Sequence, residues 1–251
     1  MLNEKLNNQL KIGVIGYQGK MGQEICKVLQ SKNIKPITDG GELNGDKRKV
    51  FVNADVIIDF SSAKGLSECI DLSVLFHKPL VSGSTPMTNE LMQKMLQASK
   101  QTKICWSANM SIGIAIVKKL ASETAKILQD YDCEILELHH NQKKDAPSGT
   151  ALAIGKSISD ARNQKFDDIS VFGRNGTSQR KANEIGFSSI RGGSIFGEHE
   201  IMFIGQNDKI TISHQAFNRA LFAIGAVECA IQILEPKSTG FFTLEDLISI
   251  K

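Results

Sequence analysis

The 251-residue sequence lacks the features that define several classes of protein. No apolar stretch is long enough to span a membrane, and the polar segment Met1 to Gln9 has no apolar run like that of a signal peptide. With 30 basic and 27 acidic side chains the net charge is only +3, so a nucleic-acid-binding surface is not expected. The densest basic run, Lys47 to Lys49, is interpreted as a solvated loop. We therefore expect a globular cytoplasmic protein without membrane or nucleic-acid partners.

The five cysteines form no C-x-x-C pair, and their number is odd. All of them lie within apolar segments, where a thiol packs as a small apolar group. They are therefore predicted to be reduced core residues: Cys26, Cys69, Cys105, Cys133 and Cys229. No metal site is expected, because no third ligand accompanies the adjacent histidines His139 and His140 at a metal-binding spacing.

Short apolar runs alternate with helical patterns over the first 110 residues. Such runs, several of them bounded by glycine, are typical of buried parallel strands. The alternation predicts a Rossmann-like, doubly wound parallel sheet of the α/β class. The predicted strands are Ile12–Ile15, Ile34–Thr38, Asp55–Phe60, Leu80–Val81 and Ile104–Trp106.

The pattern changes near Ser107 to Ser111, where we place a domain boundary. A long helix is predicted over Ile112 to Leu128, followed by several strands with little helix between them. This order predicts a C-terminal α+β domain with a mixed, largely open sheet containing an antiparallel hairpin. Its predicted strands are Cys133–Leu138, Ile169–Phe172, Glu184–Arg191, His199–Ile204 and Lys209–Ser213.

Two further helices are predicted towards the C-terminus. Ala220 to Leu234 is apolar at helical spacing, and Thr243 and Asp246 have the spacing of a capping box that begins a short helix.

A glycine-rich turn, G-Y-Q-G-K-M-G from Gly16 to Gly22, joins the first predicted strand to the first helix. Glycines allow a tight bend and a close approach of the backbone to a pyrophosphate, and the helix N-terminus adds positive potential. Glycines also mark ordinary tight turns, but the position after an N-terminal buried strand favours a dinucleotide site.

Asp39 follows the second predicted strand, where an acidic residue can accept hydrogen bonds from the adenosine ribose. The alternative is a loop aspartate without such a role. Gly40 comes next, so no arginine stands there to meet a 2′-phosphate, and NADH is slightly favoured over NADPH. Lys20, Lys47 and Arg48 leave use of both cofactors open.

The segment from Glu137 to Ala151, E-L-H-H-N-Q-K-K-D-A-P-S-G-T-A, follows a predicted strand and leads into a helix. Strand alternation places His139 on the face of Glu137, and His140 on the opposite face. Ser148 or Thr150 can cap the helix, whose first amides, near a lysine, favour carboxylate groups. A substrate with carboxylate groups fits this chemistry.

This segment resembles the pattern E-x-H-H-x-x-K-x-D-A-P-S-G-T-A of the 4-hydroxy-tetrahydrodipicolinate (dihydrodipicolinate) reductases. The resemblance implies hydride transfer from NADH or NADPH to a cyclic imine dicarboxylate in diaminopimelate and lysine biosynthesis, yielding tetrahydrodipicolinate and water. It extends over nearly the whole chain through the glycine turn and the segments Ile58–Ser61, Ser107–Ser111, Arg191–Gly193, Gly197–His199 and Ser213–Ala216.

The resemblance also implies roles for individual residues. His139 corresponds to the proton donor or acceptor and Lys143 to a second proton donor. The substrate contacts are predicted at His140, Gly149 and Thr150, to which we add the hydroxyl of Ser148. The predicted cofactor contacts are Gly16, Tyr17, Gln18, Gly19, Lys20, Met21, Asp39, Gly83, Ser84, Thr85, Ser107, Ala108, Asn109 and Met110.

A two-domain homotetramer is implied by the same resemblance. Residues 1–110 and 219–251 correspond to the dinucleotide-binding domain. Residues 111–218 correspond to a substrate-binding and oligomerisation domain, which assembles through its sheet.

The sequence departs from the family pattern at two places. Where the family usually has Gly-Thr-Thr-Gly, this chain has Gly83-Ser84-Thr85-Pro86, and proline removes a backbone donor and fixes a torsion. The segment between Asp39 and Asp55 is also shorter than the pattern, which predicts a missing strand or helix in the nucleotide domain.

Three other functions are considered. A semialdehyde dehydrogenase would need a cysteine nucleophile, and only Cys133 lies near the histidine segment. A non-catalytic NAD(H)-binding regulator would keep the glycine turn but would not need His139 and Lys143 together. A nucleic-acid binder is suggested only by the isoelectric point near 8.5.

Overall fold

The computed structural model describes residues 10–42 and 44–248. Along the chain the strands are β1 (Ile12–Ile15), β2 (Pro36–Ile37), β3 (Val56–Asp59), β4 (Leu80–Ser82), β5 (Lys103–Trp106), β6 (Asp132–His139), β7 (Ser170–Phe172), β8 (Ile185–Arg191), β9 (Glu198–Ile204), β10 (Lys209–Gln215) and β11 (Gly240–Phe242). The helices are α1 (Lys20–Ser31), α2 (Lys47–Asn53), α3 (Ala63–Phe76), α4 (Asn89–Ala98), α5 (Ile112–Ile127), α6 (Gly149–Ala161), α7 (Phe166–Ile169), α8 (Ala220–Gln232) and α9 (Leu244–Leu247).

The described residues divide into two compact units, one formed by those up to Ile112 together with those from Arg219 to 248, the other from Gly113 to Asn218. In the first unit the described residues form a six-stranded sheet in the order β11-β5-β4-β3-β1-β2, with every pairing parallel. The strands β1, β3 and β4 are buried throughout, as expected for a parallel sheet covered on both faces. The predicted Rossmann-like fold is therefore confirmed.

Local sequence explains several helix boundaries in this unit. The hydroxyl of Ser62 accepts a hydrogen bond from the Gly65 amide and caps α3, and Thr88 caps α4 in the same way. The predicted capping box of Thr243 and Asp246 is present at the start of α9.

The prediction of a solvated basic loop at Lys47 to Lys49 was wrong. These residues begin α2, which Asp46 caps, and the Lys47 side chain is buried with Nζ 2.7 Å from Glu68 Oε2. The aliphatic stem of lysine can pack in a core while its ammonium meets a carboxylate, and charge alone does not reveal such a partner. The short segment after Asp39 therefore contains a helix.

In the second unit the described residues form a five-stranded sheet in the order β10-β9-β6-β8-β7. The pairs β6–β8 and β7–β8 are parallel, whereas β9 pairs antiparallel with both β6 and β10. The predicted mixed sheet and its antiparallel hairpin, β9–β10, are confirmed. Ile154 and Ile158 of α6 join Ile135 of β6 in the apolar core of this unit.

Candidate active site

One face of β6 changes from apolar to polar along the strand. Its first residues on that face are buried in the apolar core, whereas Glu137 and His139, further along, are buried polar side chains. Residues paired across strands share a face, so Arg191 of β8 lies beside His139, and His199 of β9 lies beside Glu137. The core of the second unit therefore ends in a cluster of titratable groups, which we call the polar cluster: Glu137, His139, Arg191 and His199.

The Glu137 carboxylate lies at the centre of the polar cluster and is only 1% exposed. Its Oε1 accepts hydrogen bonds from Arg191 Nη2 at 2.6 Å and from the Ser148 amide at 3.1 Å. Its Oε2 accepts from Arg191 Nη1 at 2.9 Å and lies 2.5 Å from His139 Nδ1. Burial raises the pKa of Glu137, but hydrogen bonds from Arg191, Ser189 and His139 outweigh it and lower the pKa to about 2. Glu137 is thus a fixed negative charge.

The His139 imidazole has its Nδ1 against Glu137 and its Nε2 near Gly197. Burial lowers the pKa of His139, Glu137 raises it, and the charges of Lys143 and Arg191 lower it further. Gly197 has a φ of 152°, and a Cβ placed there would lie 3.0 Å from Nε2. A glycine at this position therefore keeps side-chain atoms away from Nε2.

His199 is the second histidine of the polar cluster. Its ring meets the His139 ring edge to face at a centroid distance of 5.3 Å, and its Nε2 lies 3.2 Å from Ser148 Oγ. Burial, followed by the nearby His139, lowers the pKa of His199 to about 4, so this ring is neutral at pH 7.

The loop after β6 brings a lysine and a helix N-terminus around a carboxylate. Lys143 Nζ lies 2.9 Å from Asp145 Oδ1, and the Gly149 amide also hydrogen-bonds to Asp145. The Lys143 contact is the largest of the effects that lower the pKa of Asp145. No other atom lies within 4 Å of a Cβ placed on Gly149. We call this arrangement of Lys143, Asp145 and Gly149 the carboxylate corner.

Three other predicted substrate contacts surround this loop. Ser148 caps α6 by accepting from the Ala151 amide at 3.2 Å, and its side chain is buried in the polar cluster. His140 is half-buried directly after β6, and its carbonyl accepts from the Lys143 amide at 3.1 Å. Thr150 is half-buried in the first turn of α6. The structure thus brings the predicted catalytic and substrate residues to one end of the sheet.

Sequence reasoning assigned no role to Glu137, Arg191 or His199. Glu137 opens the long motif, and Arg191 and His199 lie in two of the shorter matching segments. Strand alternation on β6 already placed Glu137 on the face of His139, so this one neighbour was predictable from the sequence.

In the first unit the glycine-rich turn follows β1. Gly16 has a φ of 79°, and its carbonyl accepts from the Gly19 amide at 3.0 Å. A Cβ on Gly22 would lie 2.2 Å from the Gly16 carbonyl oxygen, so only glycine fits there. Gly19 precedes α1 without a side-chain cap. The turn fits a dinucleotide, because a cradle of backbone that no Cβ obstructs lies at a helix N-terminus.

The other residues of this turn, Tyr17, Gln18, Lys20 and Met21, are exposed or half-buried. Asp39 lies two residues beyond β2, and its side chain is 83% exposed with Oδ1 3.9 Å from Lys49 Nζ.

The remaining predicted cofactor residues follow β4 and β5. Ser84 donates its hydroxyl to Asp59 Oδ2 at 2.8 Å, so this hydroxyl is engaged within the protein. Asp59 ends β3, also accepts from the Ser82 hydroxyl at 2.9 Å, and has its pKa raised by burial. Gly83 and Thr85 flank Ser84, and the peptide between Thr85 and Pro86 is cis. After β5 come Ser107, Ala108, Asn109 and the buried Met110.

Two absences hold for the described part of the chain. Within residues 10–42 and 44–248, no helix is long and apolar enough to cross a membrane. The same residues contain no group of three or more histidine, cysteine, aspartate or glutamate side chains that could hold a metal ion.

Comparisons with known proteins agree over the length of the chain. Residues 10–110 match the family described as dihydrodipicolinate reductase, N-terminus, and residues 113–248 match its C-terminus. A 4-hydroxy-tetrahydrodipicolinate reductase of Campylobacter jejuni is 37% identical over 242 residues, which cover 96% of this chain and all of the relative. A reductase of the same name from Wolbachia pipientis is 35% identical over 265 residues, with the same coverage.

A solved structure shows the same fold. The dipicolinate-bound dihydrodipicolinate reductase of Paenisporosarcina sp. TG-14 has a TM-score of 0.75 and 23% identity, covering 96% of this chain and 99% of that one. A probable dehydrogenase of Thermotoga maritima has a TM-score of 0.58 at 10% identity, covering 94% of this chain and 92% of that one.

The fold and the glycine-rich turn define a nicotinamide-dependent oxidoreductase. The chain belongs to the dihydrodipicolinate reductase family and is a reductase of diaminopimelate and lysine biosynthesis. The semialdehyde dehydrogenase, the non-catalytic regulator and the nucleic-acid binder are therefore set aside.

Proposed function

We propose that the polar cluster and the carboxylate corner bind 4-hydroxy-tetrahydrodipicolinate and supply the protons for its reduction to tetrahydrodipicolinate. The carboxylate corner supports this proposal most strongly. There an ammonium and a helix-terminal amide already hold the carboxylate of Asp145, which stands in for the carboxylate of a substrate. A dicarboxylate that displaces Asp145 would make the same contacts.

Within this proposal His139 and Lys143 are the catalytic residues. Reduction adds one hydride and one proton to the ring, and the 4-hydroxyl leaves as water together with a ring hydrogen. NADH or NADPH supplies the hydride when bound. The imidazolium of His139 or the ammonium of Lys143 donates the proton to the substrate. Gly149, Thr150, Ser148 and His140 orient the substrate, Gly149 through its amide.

The first unit binds the cofactor through the glycine-rich turn and the segments after β4 and β5. NADH is slightly favoured over NADPH, because the exposed Asp39 can accept from a ribose hydroxyl and Gly40 follows it. Lys20 and Arg48 leave use of NADPH open, whereas Lys47, the third cation considered for a 2′-phosphate contact, is buried and paired with Glu68.

We also infer that the protein works in the cytoplasm as a homotetramer assembled through the sheet of the second unit. Among the strands that the structure describes, β10 lies at the edge of that sheet and pairs with β9 alone. Ile210 on β10 and Ile204 on β9 expose apolar surface there, which a second copy would cover. Light scattering on the purified protein tests this inference, and a monomer at micromolar concentration would contradict it.

The function is tested with purified protein, NADH or NADPH, and enzymatically generated 4-hydroxy-tetrahydrodipicolinate. The absorbance of the reduced nicotinamide reports its oxidation. We expect oxidation only when the substrate is present, and at a higher rate with NADH than with NADPH. A folded protein that binds either nucleotide but oxidises neither would overturn the proposed substrate.

A further inference from the structure

We propose that Glu137, held by Arg191, is a positioning residue that fixes the proton of the neutral His139 ring at Nδ1, so that Nε2 exchanges the proton with substrate. This inference deepens the proposed function, because it rests on His139 as a proton donor.

The geometry of the carboxylate determines the tautomer. An ionised carboxylate can only accept hydrogen bonds, so His139 Nδ1, at 2.5 Å from Glu137 Oε2, carries the hydrogen. The neutral ring then has its lone pair at Nε2, and the charged ring has its transferable proton there. The partner of one ring nitrogen sets the chemistry of the other in this way.

Glu137 cannot turn away from the ring without losing several hydrogen bonds. Arg191 from β8 binds both carboxylate oxygens, and the Ser148 amide at the start of α6 binds Oε1 as well. Arg191 also donates to the Asp145 carbonyl at 2.7 Å, so its own position is fixed. The carboxylate is therefore held from two elements and is preorganised for the imidazole.

The charges around the imidazole act in opposite directions. Glu137 raises the pKa of His139, whereas the positive charges of Arg191 and Lys143 lower it. Arg191 keeps Glu137 ionised and also offsets part of its effect on the ring. A buried imidazole with an uncompensated carboxylate would stay protonated, and one without a carboxylate would stay neutral. The groups that face the ring are Glu137 on its own strand, Lys143 from the loop, Arg191 from β8 and the neutral His199 from β9.

A purely structural ion pair between β6 and β8 makes a different prediction. Loss of either partner would then loosen the site in the same way. A positioning pair predicts shifts of opposite sign, because Glu137→Gln removes the group that raises the pKa of His139 and Arg191→Gln removes a group that lowers it.

The test is a pH titration of the full chain labelled with ¹⁵N-histidine, followed by NMR without substrate or cofactor. The chain has five histidines, and His139→Gln assigns the signal. We expect the neutral wild-type ring to carry its proton at Nδ1, a lower pKa of His139 in Glu137→Gln and a higher one in Arg191→Gln. If the pKa of His139 falls by about 1, the fraction of the ring present as imidazolium at neutral pH falls about tenfold. The His139 limb of the pH–rate profile should move in the same directions, with the KM for NADH unchanged.

The matched control is Glu134→Gln. Glu134 lies on the same strand and is paired with Arg174 and Arg180, but strand alternation places it on the opposite face from His139. We expect no shift of the His139 pKa in this variant.

Three results would overturn the proposal: a neutral ring protonated at Nε2, shifts of equal sign in the two variants, or a control shift equal to that of Glu137→Gln. If Glu137→Gln does not fold, the proposal is tested by the tautomer of His139 in the wild type and by the pKa of His139 in Arg191→Gln. An unchanged or lower pKa of His139 in Arg191→Gln would contradict the proposal. Because this titration needs no substrate, its failure is distinguishable from failure of the proposed reaction.

Discussion

The glycine-rich turn of the first unit and the polar cluster of the second depend on opposite properties of their side chains. The turn depends on missing side chains, since a Cβ on Gly22 would overlap the Gly16 carbonyl. The polar cluster depends on buried charges that only their mutual hydrogen bonds make tolerable, with the Glu137 carboxylate held by donors on Arg191, Ser148, Ser189 and His139. The turn is therefore sensitive to added volume, and the cluster is sensitive to changed charge or pH.

The sharpest test of this contrast removes the proposed proton donors. His139→Ala and Lys143→Ala should each lower turnover on the order of 10²- to 10⁴-fold, the usual contribution of a general acid. The dissociation constant for NADH should not change, because the glycine-rich turn lies in the other unit. Steady-state kinetics and NADH fluorescence titration measure the two quantities. Lys144→Ala is the control, since it removes an exposed neighbouring charge, and an equal loss of NADH affinity would point to a structural role for the loop.

A fall in pH should destabilise the polar cluster before it affects the glycine-rich turn. The pKa of His199 is about 4 in the folded state against an ordinary 6.5, so folding favours the neutral ring. Its contribution to stability is fully present above pH 6.5 and is lost as the pH falls towards 4, amounting to roughly 3 kcal/mol. Urea unfolding between pH 7 and pH 4 should show a shallower loss of stability in His199→Gln than in the wild type. Parallel pH profiles of the two proteins would exclude this role of His199.

A larger side chain should distort the glycine-rich turn and leave the polar cluster unchanged. Gly22→Ala places a Cβ 2.2 Å from a backbone oxygen that cannot move independently, and overpacking of this kind costs about 1–3 kcal/mol. We expect a lower melting temperature and weaker NADH binding. Gly192→Ala is the matched control, because no other atom lies within 4 Å of a Cβ placed there. Similar melting temperatures for the two variants would show that the turn accepts a side chain at Gly22.

The smallest effect is expected at Asp39, where the site is most exposed. Asp39→Ala removes an acceptor for the ribose and should weaken NADH binding by less than about 1 kcal/mol, as exposed polar contacts do. NADPH binding should be unchanged or stronger, because a negative charge near the 2′-phosphate is lost. Titrations with both cofactors give the ratio of affinities, and an equal loss for both would remove Asp39 from cofactor selection.

Most strands could be predicted from the sequence, because each is a local apolar run with turn residues beside it. Strand β11 was missed, since Gly240 to Phe242 is too short to show a periodicity. The buried position of Lys47 was missed because its partner, Glu68, lies on another helix.

The candidate site was predictable only in part. The long motif contains the predicted catalytic pair His139 and Lys143, but Arg191 reaches Glu137 from 54 residues away. Their meeting depends on the register of β6 against β8, which no local pattern specifies. The hydrogen bond from the Ser84 hydroxyl to Asp59, a partner 25 residues away, could not be predicted from the local sequence, and the role of Ser84 as a cofactor contact stays a prediction.

The pairing of His139 with Arg191 across β6 and β8 has a consequence for assembly of the sheet. A slip of one residue would turn the guanidinium to the opposite face, away from Glu137. The hydrogen bonds between Arg191 and Glu137, which we propose orient the imidazole, therefore form only when the two strands pair in the correct register. Under the proposed role of His139, such a chain would lack the contact between Arg191 and Glu137 that orients this ring, and we expect it to be inactive.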